Sequence, residues 1–296
     1  MPNVRKHALT LILMLTLCST LVLTASRPTE AQTEYSIDIN GYTWDHPTIS
    51  VSIFPRENES WWDPSYLNAT LHAIAQWNDA IQGFASNYTE FSYLSRIRLV
   101  PTINYEAVSG FDVYVGWIAQ CEREATIGLT QSSVKLPCTI VNSTVHLAAK
   151  APSGHVMTEV DMQNIVVHEL GHNFGLSHST YSGDVMYSTV SYKETLKPLS
   201  SIDLYALSQI FEWMSNSTQF SSSSSMCPQE ASLILPSGIS YVRLPIAAEN
   251  LPVYAPQSLA EYVVGLFVRP EILVAILVAV TSLAVVIVVK RRKKPK

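Results

Sequence analysis

Residues 168–178 read HELGHNFGLSH. His168 and His172 stand four positions apart, so on a helix they share one face, about 6 Å apart along the axis and within reach of one ion. Glu169 follows the first histidine directly. It projects beside the ion rather than onto it, where a carboxylate can take a proton from water. His178 lies ten residues past His168. An unbroken helix would carry it about 15 Å away, whereas a Zn–N bond spans about 2.0–2.1 Å. The chain must therefore turn, and Gly175, lacking Cβ, can leave the helix through a left-handed conformation. Three histidine ligands leave a fourth position for water, whose pKa zinc lowers from about 15.7 to about 7. That amounts to about 12 kcal/mol of stabilised hydroxide. The expected chemistry is hydrolysis, with Glu169 as a general base and acid worth roughly 10²–10⁴-fold.

The run HExxHxxGxxH followed by a methionine-bearing turn resembles the metzincin metalloproteases. The turn is read over Ser182, Gly183, Asp184, Val185, Met186 and Tyr187. The resemblance implies that Met186 lies beneath the zinc as an apolar floor. Ser179 after the third histidine and Tyr187 after the methionine are most similar to the matrixin branch. Astacin-like and serralysin-like members carry a metal-facing tyrosine where this chain has Ser188. The resemblance thus implies one catalytic Zn2+ on His168, His172 and His178, water as fourth ligand, Glu169 as catalytic base, and protein or peptide substrates. HExxH alone also suits an ordinary charged helix face, but Gly175 and His178 together cut chance occurrence by roughly a further thousandfold.

The fold implied by the resemblance is α+β: a twisted mixed sheet with an active-site helix and a C-terminal helix, here placed in residues 32–216. Positions 48–54 alternate as a strand. Asp63 or Ser65 can cap a helix whose Leu67, Leu71, Ile74, Ala75, Trp77 and Ile81 form an apolar stripe. Further strands are expected over 96–100, 111–117, 126–130 and 139–147. By the resemblance, 126–130 is the sheet edge to which a peptide adds as an extra strand, with Gly128 and Leu129 lining the cleft through backbone groups. Thr158 or Asp161 can start the active-site helix, and Ser200 or Ser201 the last one. Trp77 and Trp117 are expected to pack in the core.

The two ends bear on location. Arg5 and Lys6 precede an apolar run over 8–23 and then small and polar residues. This is the layout of a secretory signal, assigned to residues 1–31; an uncleaved anchor is the alternative. Residues 272–289 are uncharged and would span about 27 Å as a helix, against a hydrocarbon core of about 30 Å. They are expected to form a transmembrane helix. The basic tail at 290–296 then faces the cytoplasm and touches anionic lipid. Between them, the five serines at 221–225 and six prolines after them read as a linker and stalk over 217–271, the part after the serines being an extended membrane-proximal stalk or a small β-rich spacer. The expectation is a single-pass protein of the cell membrane with its catalytic domain outside.

Of 19 Lys and Arg, eight lie in the two ends, leaving 11 against 24 Asp and Glu, about −13. Such acidity argues against nucleic acid as partner. It admits bound Ca2+ as a second ion, although no calcium loop is legible. His146 and His155 are candidates for an accessory ion, with hydrogen-bonded or solvated histidine as the competing reading. Cys18 belongs to the signal. A Cys121–Cys138 disulfide would close a short loop worth roughly 3 kcal/mol. Cys227 is then left free, bonded to another chain, or competing for one of the other two. Asn58, Asn68, Asn87, Asn142 and Asn216 head glycosylation sequons.

Together these features describe a membrane-anchored, extracytoplasmic zinc endopeptidase. Two alternatives remain: a non-catalytic surface adhesion or recognition module that keeps the zinc fold, and a zinc amidase acting on cell-wall peptides.

Overall fold

The computed structural model describes residues 35–246, apart from 122–125, 190, 191, 193, 194, 218 and 222–225. The predicted signal, span and tail, and the stalk beyond residue 246, lie outside the described residues. Among the described residues no helix is long and apolar enough to cross a membrane.

Alternating apolar residues build β1 (Ser36–Ile39) and β2 (Thr48–Phe54), with Ile37, Ile49, Val51 and Ile53 fully buried. Helix α1 (Ser65–Asn87) follows, its first turn held by the Asp63 carboxylate, which accepts from the Ser65 N–H at 2.9 Å. Its buried face runs through Tyr66, Thr70, Ala73, Trp77, Ala80 and Phe84. Leu71 and Ala75 of the expected stripe are only half-buried, because the helix packs on a second helix as well as on the sheet and the small residues face the closest approach.

A 3₁₀ segment (Thr89–Arg96) leads into β3 (Arg98–Ile103), β4 (Val113–Gln120), β5 (Gly128–Lys135) and β6 (Thr139–Lys150). They form a mixed sheet in the order β3-β2-β4-β6-β5, parallel except for β5, which runs antiparallel to β6. β3 runs through Pro101 and beyond the expected end of its strand. It can do so because it is an edge strand, where one proline costs no sheet bond on the open side. β5 is the other edge, and its polar Thr-Gln-Ser-Ser run explains why only its first residues read as strand.

Helix α2 (Glu159–Asn173) lies against α1 and the sheet, and Trp77 donates its indole N–H to the Val167 carbonyl at 2.9 Å to lock the two helices. β7 (Leu176–Ser179), α3 (Ser201–Ile210), the short α4 (Trp213–Asn216) and β8 (Ala231–Ile234) complete the described elements. β1 is the middle strand of a second, antiparallel sheet, β7-β1-β8.

Two expectations are corrected here. The disulfide joins Cys138 to Cys227, and Cys121 is free. Cys121 ends β4 and Cys138 precedes β6, but these strands are parallel, with Gln120 opposite Lys150. The two cysteines therefore sit at opposite ends of the sheet, roughly 40 Å apart at about 3.3 Å per residue. The second concerns the stretch after the linker, where a β-rich spacer rather than an extended stalk is found through residue 244. Residues 231–234 pair with β1, and beyond them Ser201 N–H donates to the Val242 carbonyl and Leu244 N–H to the Leu199 carbonyl. The segment through residue 244 is thus bound to the domain, because β1 offers it an open edge.

Candidate metal centre

α2 begins with a capping box. The Thr158 hydroxyl accepts from the Asp161 N–H at 3.1 Å, and the Asp161 carboxylate accepts from the Thr158 N–H at 3.0 Å. Asp161 also bonds His155 at 2.8 Å, so His155 belongs to the helix start. The helix ends at Gly175, whose φ of 99° is left-handed and where a Cβ would stand 2.7 Å from the Tyr42 carbonyl. The turn leads into β7, which carries His178. Nearly every side chain of α2 is buried, including His168 and Glu169.

His168, His172 and His178 offer one ligand atom each, all within 4.8 Å of one another. No other group of three such side chains was found among the described residues. The Nδ1 of His168 lies 2.8 Å from the Val185 carbonyl and that of His172 2.9 Å from the Leu176 carbonyl. A carbonyl only accepts, so each Nδ1 carries the proton and each Nε2 presents a lone pair. Those two Nε2 atoms face each other at 3.0 Å, an arrangement that two lone pairs tolerate only with a cation or proton between them. Burial first, then the neighbouring His172, push His168 down to about 3. Burial also lowers His172 and His178, and for His178 His172 adds to the effect while Asp38 opposes it. Neutral imidazoles with fixed tautomers are the donor set zinc takes, so the residues fit the ion.

Glu169 faces β5. Its Oε2 accepts from the Thr130 hydroxyl at 2.6 Å, and burial pushes its carboxyl up to about 7 against the opposing pull of that bond and of the Thr130 N–H. A cleft of about 630 Å3 runs over Gly128, Thr130, Glu169, the three histidines and Tyr192. Met186 is fully buried under α2, with its sulfur where a Cβ on Gly171 would otherwise stand.

Residues 101–212 match the family model of matrixin. Over this stretch the chain is similar to matrixins, and the three histidines fit a zinc site of that kind. The similarity supports a zinc metalloprotease in general, a class that acts on proteins or peptides. The match starts within β3 and stops before β8, so β1, β2, α1 and β8 lie outside it. No curated protein matches the chain.

Gly128 and Leu129 both border the cleft, but only one of them turns its backbone groups to it. Ala148 N–H donates to the Ile127 carbonyl. By the two-residue alternation of an antiparallel ladder, Leu129 then pairs its N–H and C=O with His146, while those of Gly128 point to the open edge and the Thr130 N–H meets the Glu169 carboxylate. His146 itself is exposed on β6 and joins no metal cluster among the described residues. The sequon asparagines Asn58, Asn87 and Asn216 are exposed, and Asn68 and Asn142 half-exposed.

Sequence reasoning missed three features of this site. Thr130 stands two residues from Gly128 on the same face of β5, a period-2 signal that was available. Tyr192 stacks on His155, with ring centres 4.7 Å apart, and walls the cleft; nothing in the sequence marks that pairing. The third is the carboxyl pair Asp184 and Asp203, both buried. Ser200 places its single hydroxyl 3.2 Å from Asp184 Oδ2 and 3.0 Å from Asp203 Oδ2. Asp184 also accepts from the Ser179 hydroxyl at 3.3 Å, and Asp203 from the Ser200 N–H at 2.8 Å. Burial raises both carboxyls, and the Asp184 charge raises Asp203 further, so Asp203 holds the proton and donates to Asp184.

Proposed function

We propose that this protein is a membrane-anchored zinc endopeptidase whose matrixin domain works outside the cytoplasm. The observation that carries the catalytic part is the pair of Nε2 lone pairs on His168 and His172, held face to face by carbonyl bonds at both Nδ1 atoms. A zinc ion on His168, His172 and His178 would polarise a scissile carbonyl and acidify water. Glu169, in the same cleft, accepts the proton of the attacking water and passes it to the departing amine. A peptide adds to the open edge of β5, its backbone meeting that of Gly128. Anchoring rests on the uncharged stretch 272–289 and the cations after it.

The test uses the full chain in detergent, loaded with zinc, against an unbiased peptide pool. Glu169→Ala should keep zinc and lose cleavage, a barrier increase of about 3–5 kcal/mol. Equal activity in that variant would remove Glu169 from the base role. Zinc binding without cleavage by the unaltered chain would favour a recognition module. Anchoring is checked separately by resistance of the membrane-bound protein to alkaline extraction.

A further inference from the structure

We propose that Thr130 is the positioning residue of Glu169: its hydroxyl holds the carboxyl in one setting against β5. The inference rests on the reading of Glu169 as the base.

The Thr130 Oγ1 has two acceptors in reach, both on Glu169: the carboxylate Oε2 at 2.6 Å and the main-chain carbonyl at 3.0 Å. It has one proton and can serve only one at a time. Facing a carboxylate, the proton points at Oε2, where the acceptor's charge makes the bond stronger. The Thr130 N–H adds a second bond to the same carboxylate, and the Glu169 carbonyl already accepts from the Asn173 amide at 3.1 Å, so the threonine hydroxyl is left to the carboxylate. Thr130 gives no proton to the substrate: the proton comes from water to Glu169 and leaves with the amine.

The opposite side of the side chain is closed by backbone. A Cβ on Gly128 would come within 2.8 Å of the Glu169 Cγ and Cδ, so glycine allows the carboxylate to lie against the strand. Gly128 and Thr130, two apart on one face of β5, therefore clamp Glu169 between them. β5 is also the strand with an open edge. Substrate docking and base alignment thus depend on the same short piece of backbone.

The experiment compares Thr130→Ala, which removes the hydroxyl, with Thr130→Ser, which keeps it without the methyl group, in the zinc-loaded full chain. We expect Thr130→Ala to lower kcat roughly 10–100-fold, the size expected for one hydrogen bond to a charged group, with KM and zinc content unchanged. Thr130→Ser should recover kcat to within about threefold. A second readout does not need activity. The 13C carboxyl resonance of Glu169, identified by its loss in Glu169→Gln, should shift in Thr130→Ala and stay in place in Thr130→Ser. Wild-type kcat and an unmoved resonance in Thr130→Ala would overturn the proposal, as would a Thr130→Ser variant as impaired and as shifted as Thr130→Ala. If the unaltered chain cleaves nothing yet the resonance follows the expected pattern, the positioning stands and the endopeptidase reading falls.

Discussion

The Met186 thioether packs into the space where residue 171 has no Cβ. Val185, one residue earlier, gives its carbonyl to His168 Nδ1, so the depth of the methionine turn sets the tautomer and tilt of a ligand. Gly171→Ala is expected to push the turn away. It should cost about 1–3 kcal/mol of stability as an overpacked core does. Zinc affinity should fall about 10–100-fold, as it does when a ligand loses its outer partner. Urea unfolding and zinc titration of the variant check both, and unchanged affinity would disconnect the turn from His168.

The two cysteines that might have competed for Cys138 can be separated directly. Cys227→Ser opens a covalent loop with a sequence separation of 89. It should lower stability by about 2–4 kcal/mol under oxidising conditions. Cys121→Ser should leave the unfolding midpoint where it is. The reverse ranking would contradict the observed pairing.

The Asp184 and Asp203 pair makes stability depend on pH with a definite sign. Both carboxyls are raised in the folded chain, so the native state keeps a proton at pH values where the unfolded chain, with aspartates near about 3.9, has lost it. The native state then binds more protons, and stability falls as pH rises from about 4 through the folded value. Asp203→Asn keeps an amide donor toward Asp184 and should flatten that slope. Unfolding free energies of both proteins across this range would show it, and parallel slopes would reject a shared proton.

The three histidines should not be equivalent. His178 is exposed on a strand, whereas His168 is buried and fills the Val185 carbonyl. Each alanine variant should lose tight zinc binding. His168→Ala should also destabilise the zinc-free protein, by about 1–3 kcal/mol, since it strands the buried Val185 carbonyl; His172→Ala should do so less, since the Leu176 carbonyl keeps the Asn40 amide, and His178→Ala not at all. Thermal unfolding in chelator separates the two effects.

The metal centre was legible because its geometry is local. Spacings of four, six and ten residues among the histidines of 168–178 fix a helix, a glycine turn and a strand, and Gly175 has the left-handed φ this requires. Capping chemistry was legible for the same reason at Thr158 and Ser200. What escaped was set by distant pairing. The polar residues of β5 become a strand because Thr139 to Lys150 lie beside them, and β8 forms because β1 has an open edge. Cys138 finds Cys227 only after the parallel order of β4 and β6 has carried Cys121 to the far end.

The order of attachments along the C-terminal segment also decides how the domain bears load. A pull from beyond residue 246 first meets the bonds of 242–244 to the start of α3, then the ladder between β8 and β1. These can peel. Cys227, upstream of both, is a covalent stop that passes the force into β6 through Cys138. The β1–β7 pairing that seats His178 lies outside that path, so tension on the C-terminal segment can strip one strand while the three ligands keep their places.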